Sequence, residues 1–169
     1  MKRIALSAVL VATAGLAVVA VAAAAGYVQI TGTPGNDTIV GTSGADRIAA
    51  RAGNDTVNSG AGNDRVWGGV GNDSIDAGEG NDIVRGRPGD DTIQGGAGND
   101  RIWPGRGADV ENGGPGDDVL HALANDDLVD RIDCGEGNDI VWLNVNEQDV
   151  HVNCETVKMK AARDDGGDN

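Results

Sequence analysis

The chain repeats itself every nine residues. An aspartate falls at Asp37, Asp46, Asp55, Asp64, Asp73, Asp82, Asp91, Asp100, Asp109, Asp118 and Asp127 without a break, and all but the last follow the local pattern Gly-x-Asp. Two residues after each aspartate comes a branched aliphatic: Ile39, Ile48, Val57, Val66, Ile75, Val84, Ile93, Ile102, Leu120 and Val129. Only Glu111 interrupts that series. A strict short period marks a solenoid, in which each unit packs on its neighbours. Like then stacks on like, so the aspartates must form columns. Aligned carboxylates repel each other unless cations lie between them.

The full unit is Gly-Gly-x-Gly-x-Asp-x-aliphatic-x, as in Gly68 to Asp76. Glycines permit positive φ and close backbone approach, so the first six residues suit a tight turn. The last three, alternating outward, inward, outward, suit a short strand. Two units, 18 residues, make one coil. This pattern resembles the RTX, or haemolysin-type, calcium-binding repeat over about residues 32–142. The resemblance implies an all-β, right-handed parallel β-roll with Ca²⁺ between successive turns on each edge. Aspartate carboxylates and glycine-turn carbonyls would supply the six to eight oxygens that Ca²⁺ takes, at about 2.3–2.6 Å. One edge would carry Asp37, Asp55, Asp73, Asp91, Asp109 and Asp127, and the other Asp46, Asp64, Asp82, Asp100 and Asp118. Their gaps hold up to about nine ions. Ala50, Ser59, Ala77, Pro104 and Ala122 replace the first glycine of their units, and Arg51 and Arg87 the second. Leu123 and Asn125 stand where two glycines should precede Asp127, making that site the weakest.

Composition limits what else can hold the chain together. Of 169 residues three are Trp, one is Tyr and none is Phe, and the net charge is −14. A buried Ile or Val stabilises by roughly 1.5–3 kcal/mol. Backbone ordering opposes this at about 1–2 kcal/mol per residue. The balance is expected to fail without metal, so that the chain folds on binding Ca²⁺.

Met1-Lys2-Arg3 precede an apolar run from Ile4 to Ala25 that ends in alanines and Gly26. Residues 1–25 have the form of a secretory signal peptide, which implies a secreted protein. Left uncleaved, the run is long enough to anchor in a membrane. Residues 26–31 are a lead-in strand and 32–130 the repeats. In an exported chain the pair Cys134 and Cys154 is expected to form a disulfide. The alternatives are free thiols or a metal pair. After Asp127 the next Gly-x-Asp ends at Asp139, twelve residues on. Residues 131–157, with Val141, Val145, Val150, Val152 and Val157, resemble the end unit of exported RTX-like proteins and are expected to cap the roll. Residues 158–169 have the composition of a disordered tail.

The outward positions differ between the two faces. One carries Thr38, Thr56, Ser74 and Thr92, a hydroxyl series broken by Val110 and Leu128, which argues against an ice-binding plane. The other carries Arg47, Arg65, Ile83 and Arg101 beside Ala49, Trp67, Arg85, Trp103 and His121. Ordinary solvent-facing strand chemistry explains both. The alternative for the second face is a ligand surface of Arg65, Trp67, Arg85, Arg101 and Trp103, contacting a glycan, a cell-wall polymer or another protein. A further reading is an accessory repeat module for a separate secreted hydrolase or toxin. No Gly-x-Ser-x-Gly or His-Glu-x-x-His occurs, and the acidic pairs lie in the turns, so no catalytic role is expected. The charge disfavours nucleic acid.

Overall fold

The computed structural model describes residues 26–160, together with the backbone of residues 17–19. Among the described residues all regular elements are strands. Those of one sheet are β1 (Ala17–Val19), β3 (Thr38–Thr42), β5 (Thr56–Gly60), β7 (Ser74–Asp76), β9 (Thr92–Gln94), β11 (Val110–Pro115), β13 (Arg131–Glu136) and β15 (Val150–Val152), hydrogen-bonded in that order. The other contains β2 (Val28–Thr31), β4 (Asp46–Ala52), β6 (Arg65–Val70), β8 (Ile83–Pro88), β10 (Arg101–Arg106), β12 (Val119–Ala122), β14 (Ile140–Asn144) and β16 (Thr156–Lys160), again in order. Every pairing is parallel, and consecutive strands alternate between sheets. The result is a parallel β-solenoid of about seven turns, the architecture expected from the period. The expected leader, residues 1–25, lies outside the described residues apart from the β1 backbone.

The core is the space between the sheets, and two columns of side chains fill it. Ile39, Ile48, Val57, Val66, Ile75, Val84, Ile93, Ile102 and Leu120 are buried at the aliphatic position. Ala50, Ser59, Ala77, Ala122 and Cys134 are buried at the first position of the unit. The substitutions at that first glycine therefore thicken a core that would otherwise be one side chain deep. Ser59 keeps its hydroxyl satisfied by donating to the Ala77 carbonyl, 2.6 Å away.

The turns are tight because the glycines permit it. A methyl group on Gly71 or Gly98 would collide with the carbonyl of the glycine one coil earlier, Gly53 or Gly80, and both residues have positive φ. Arg51 (φ 88°) and Arg87 (φ 82°) hold the same left-handed backbone at second-glycine positions. That conformation costs a side-chain-bearing residue about 1–2 kcal/mol.

Three expectations change towards the C-terminus. Val129 is 38% exposed, and Ile132 takes its place in the core. The terminal segment forms the last coil of the roll by continuing both sheets. Val145, Val150, Val152 and Val157 are exposed, and only Val141 of the five valines is buried. Residues 158–160 belong to β16 rather than to a tail, pairing Trp142 with Lys158 and Leu143 with Met159. Residues 161–169 lie outside the described residues. Cys134 and Cys154 are disulfide-bonded, tying β13 to the segment after β15. The closed loop spans 20 residues, and such a closure contributes about 3 kcal/mol in the chain-entropy view.

Candidate metal centre

Each Gly-rich turn delivers its aspartate to the edge of the roll with the carboxylate turned inward. Asp37, Asp46, Asp55, Asp64, Asp73, Asp82, Asp91, Asp100, Asp109 and Asp118 are all 3% exposed or less. One carboxylate oxygen ties each coil to the previous one. Asp37 N–H donates to Asp55 Oδ1 at 2.8 Å, and the pattern repeats at every step of 18 residues to Asp100 and Asp118. At Asp37 and Asp46 the second oxygen accepts from the backbone N–H and hydroxyl of Thr33 and Thr42; from Asp55 onward it has no such partner. Oδ2 of Asp55, Asp64, Asp73, Asp82, Asp91, Asp100, Asp109, Asp118, Asp139 and Asp149 is buried and accepts no hydrogen bond. Leaving a buried acceptor unpaired costs about 1–3 kcal/mol, more when it is charged. Ten such atoms need either a proton or a partner of opposite charge.

The surroundings of Oδ2 fit a hard cation. A methyl added to Gly95 would lie 2.6 Å from Asp100 Oδ2 and 2.6 Å from the Gly113 carbonyl oxygen of the next coil. Gly86 meets Asp91 Oδ2 and the Pro104 carbonyl in the same way, and Gly113 meets Asp118 Oδ2 and the Cys134 carbonyl. Carboxylate and carbonyl oxygens thus converge on a cradle that a side chain would fill. Among the described residues no three His, Cys, Asp or Glu side chains are close enough to enclose an ion. A cation here would therefore rely on backbone carbonyls alongside the aspartates, an all-oxygen set suited to Ca²⁺.

Electrostatics make the same demand. In the metal-free roll the Asp91 and Asp130 carboxyls are pushed up to about 8. Asp82, Asp100 and Asp109 rise to about 7, and Asp73 and Asp118 to about 6. Burial is the largest cause throughout, and repulsion from neighbouring acidic groups adds to it. The hydrogen bond from the preceding aspartate's N–H pulls the other way.

Asp127 does not join its column. It is exposed, with φ 61°, and Asp130 stands in its place. Asp109 N–H donates to Asp130 Oδ1 at 2.9 Å, and Asp118 N–H to Asp139 Oδ1 at 2.8 Å, both across 21 residues. The three inserted residues bulge out between Ala122 and Asp130. Both columns then run on beyond the sequence expectation, through Asp130 to Asp149 and through Asp139 to Glu155. Asp130→Asn should lower calcium stoichiometry and destabilise the loaded roll by about 1–3 kcal/mol. Asp127→Asn should stay within about 0.5 kcal/mol, because Asn tolerates positive φ. Calcium calorimetry and thermal unfolding of the two variants check the assignment.

Glu111 occupies an aliphatic core position between Ile93 and Ile132 in the register of its sheet. It is 1% exposed, and neither carboxylate oxygen has a partner. Burial, then repulsion by Asp130, Asp109 and Asp149, raises its pKa well above the ordinary glutamate value.

On the outer face of the even-numbered sheet, register places Ala49, Trp67, Arg85, Trp103, His121, Trp142 and Lys158 in one line. Trp103 and His121 stack at 4.7 Å, and His121 and Trp142 lie parallel at 6.3 Å. Arg85 lies 5.3 Å over Trp103 and Lys158 4.7 Å over Trp142. Burial lowers the His121 pKa to about 4, so it stacks as a neutral ring. The expected ligand residues Arg65, Trp67, Arg85, Arg101 and Trp103 do share a face. However, Trp103 spends its ring faces on neighbours in the stack. Trp142 and Lys158 join the line only through the three-residue shift, which the nine-residue count did not follow.

The model of the RTX calcium-binding nonapeptide repeat matches this chain in four copies, over residues 31–66, 58–84, 76–111 and 112–141. No curated protein matches it significantly.

Proposed function

The chain belongs to the RTX calcium-binding nonapeptide repeat family, and from that premise we propose that it is a secreted β-roll that is disordered until Ca²⁺ folds it. Calcium binding in a β-roll is the family's property. The coupling to folding is supported by the unpartnered Oδ2 atoms, buried in register along both edges. Asp55, Asp64, Asp73, Asp82, Asp91, Asp100, Asp109 and Asp118 would hold the ions together with turn carbonyls, joined by Asp130, Asp139 and Asp149. Bound Ca²⁺ supplies positive charge between carboxylates that otherwise repel. The aspartates in turn bridge successive coils through Oδ1. Low calcium inside a cell would keep the chain extended for export through its leader, and higher calcium outside would fold it. Folded, it serves as a structural or binding module rather than an enzyme.

Calorimetric titration of the mature chain with Ca²⁺, followed in parallel by far-UV circular dichroism, tests this. The expected result is uptake of several ions per chain with a coil-to-β transition over the same calcium range. A chain that is already β-rich in chelator, and binds no calcium, removes the proposal.

A second reading, a glycan- or cell-wall-binding protein, is favoured by the line of Trp67, Arg85, Trp103, His121, Trp142 and Lys158. It gathers all three tryptophans of the chain on one face.

A further inference from the structure

Arg51 and Arg87 stand where most units place glycine, and both hold the left-handed backbone that glycine favours. The same column carries Gly69 between them and Gly105 beyond, so the two arginines lie two coils apart. At a strand spacing of about 4.8 Å, their backbones are about 10 Å apart. Between them the floor is bare, because Gly68 and Gly69 are buried glycines. One wall is the indole of Trp67, and the coil before it offers only Ala49 at that register. Arg51, Arg87, Trp67, Ala49, Gly68 and Gly69 together line a concavity of about 340 Å³.

Trp67 differs from the other two tryptophans. The ring contacts run from Arg85 over Trp103 through His121 to Trp142 and Lys158, and Trp67 lies outside that series. Facing the small Ala49, it stands beside an open notch rather than within the stack. The notch is thus lined by two arginines, a backbone floor and a tryptophan in a chain whose net charge is −14. Strained residues persist where the surrounding structure has a use for them. Glycine would relieve the strain at both positions, and here arginine occupies both.

We propose that this notch is a subsite for an acidic sugar unit of a glycan. Its carboxylate or phosphate lies between Arg51 and Arg87, and its pyranose ring lies against Trp67. The guanidinium fork matches either anion through paired N–H donors, and the indole provides a flat apolar surface for the C–H face of the ring. The inference rests on the reading of the folded roll as a binding module, and it adds the chemical class of the ligand and its place.

The test uses the calcium-loaded chain in saturating free Ca²⁺, with binding measured by calorimetry. The acidic probes are a hyaluronan octasaccharide, which carries uronate, and glucose 6-phosphate, which carries phosphate. The comparison probes are a neutral chito-oligosaccharide of equal length and inorganic sulfate. The expected result is that at least one acidic sugar binds, at least tenfold more tightly than the neutral sugar or sulfate. Whichever acidic probe binds identifies the anion. Arg51→Gly with Arg87→Gly should weaken that binding at least tenfold, while calcium-induced folding occurs at the same or lower calcium concentration. Arg51→Asn with Arg87→Asn, which also tolerates the left-handed backbone, should behave alike, and Trp67→Ala should lose the preference for sugar over sulfate.

Equal binding of acidic and neutral probes, no binding of either acidic sugar, or undiminished binding by both double variants overturns the proposal. The dichroism of the same samples reports calcium-induced folding separately. A roll that folds with Ca²⁺ and ignores acidic sugars therefore refutes the notch and leaves the calcium reading standing.

Discussion

In excess chelator at pH 7.5 the chain should lose its β-sheet dichroism, and acidification to about pH 4 should restore much of it without any metal. The sign follows from the direction of the aspartate shifts. Burial raises Asp82, Asp100 and Asp109 to about 7 and Asp91 and Asp130 to about 8 in the folded roll. In the unfolded chain they titrate near the ordinary aspartate value of about 3.9. A group whose folded pKa is raised stabilises the fold below its unfolded pKa, and that contribution is lost as pH rises through the folded pKa. The metal-free roll is therefore most stable in acid and fails progressively between about pH 4 and 8. Ca²⁺ reverses this dependence, because it binds the ionised carboxylates, and its affinity should rise with pH over the same interval. Dichroism measured against pH, with and without Ca²⁺, checks both halves. A chelated chain that gains β structure as pH rises would contradict the shifts.

Glu111→Ile should be the most stabilising single substitution in the chain. The native side chain puts two unpartnered oxygens into a core otherwise lined by aliphatics. Isoleucine restores the ladder between Ile93 and Ile132 and contributes roughly 1.5–3 kcal/mol of apolar burial. It also removes a buried carboxyl whose unmet hydrogen bonds cost a further 1–3 kcal/mol or so. The expected signs are a higher unfolding temperature and a lower calcium concentration at the folding midpoint. Glu111→Gln, which keeps the polar atoms but cannot ionise, should give a smaller gain. A variant Glu111→Ile that needs more calcium would mean that the native carboxylate assists a nearby ion.

The nine-residue period made the two sheets, the aliphatic ladder and the aspartate columns legible up to Asp118, because each unit needs only its neighbours to find its register. Legibility stopped where the period did. Asp127 satisfies the count, yet it is the only member without Gly-x before it, while Asp130-Arg131-Ile132 has the Asp-x-aliphatic form of every earlier unit. Hydrogen bonding resolves the ambiguity in favour of Asp130, since the inserted residues cost less outside the sheet than within it. Moving the insertion to that loop brings Trp142 into line with His121 and Trp103, and makes Lys158 and Lys160 part of a strand. Glu111 was visible as an exception, but nothing local told that its side chain would still point inward. Strand direction, set by pairing on both sides, decides that.

Each coil borrows its anchoring carboxylate from the coil that comes after it: Asp37 from Asp55, Asp100 from Asp118, Asp130 from Asp149, Asp139 from Glu155. A ribosome delivers the chain in the opposite order, so every emerging coil waits for its successor before its turn is complete. Assembly should then start at the disulfide-tied far end and zip backwards. Losing the final coil should unfasten the whole rod, whereas trimming the first should shorten it by one turn.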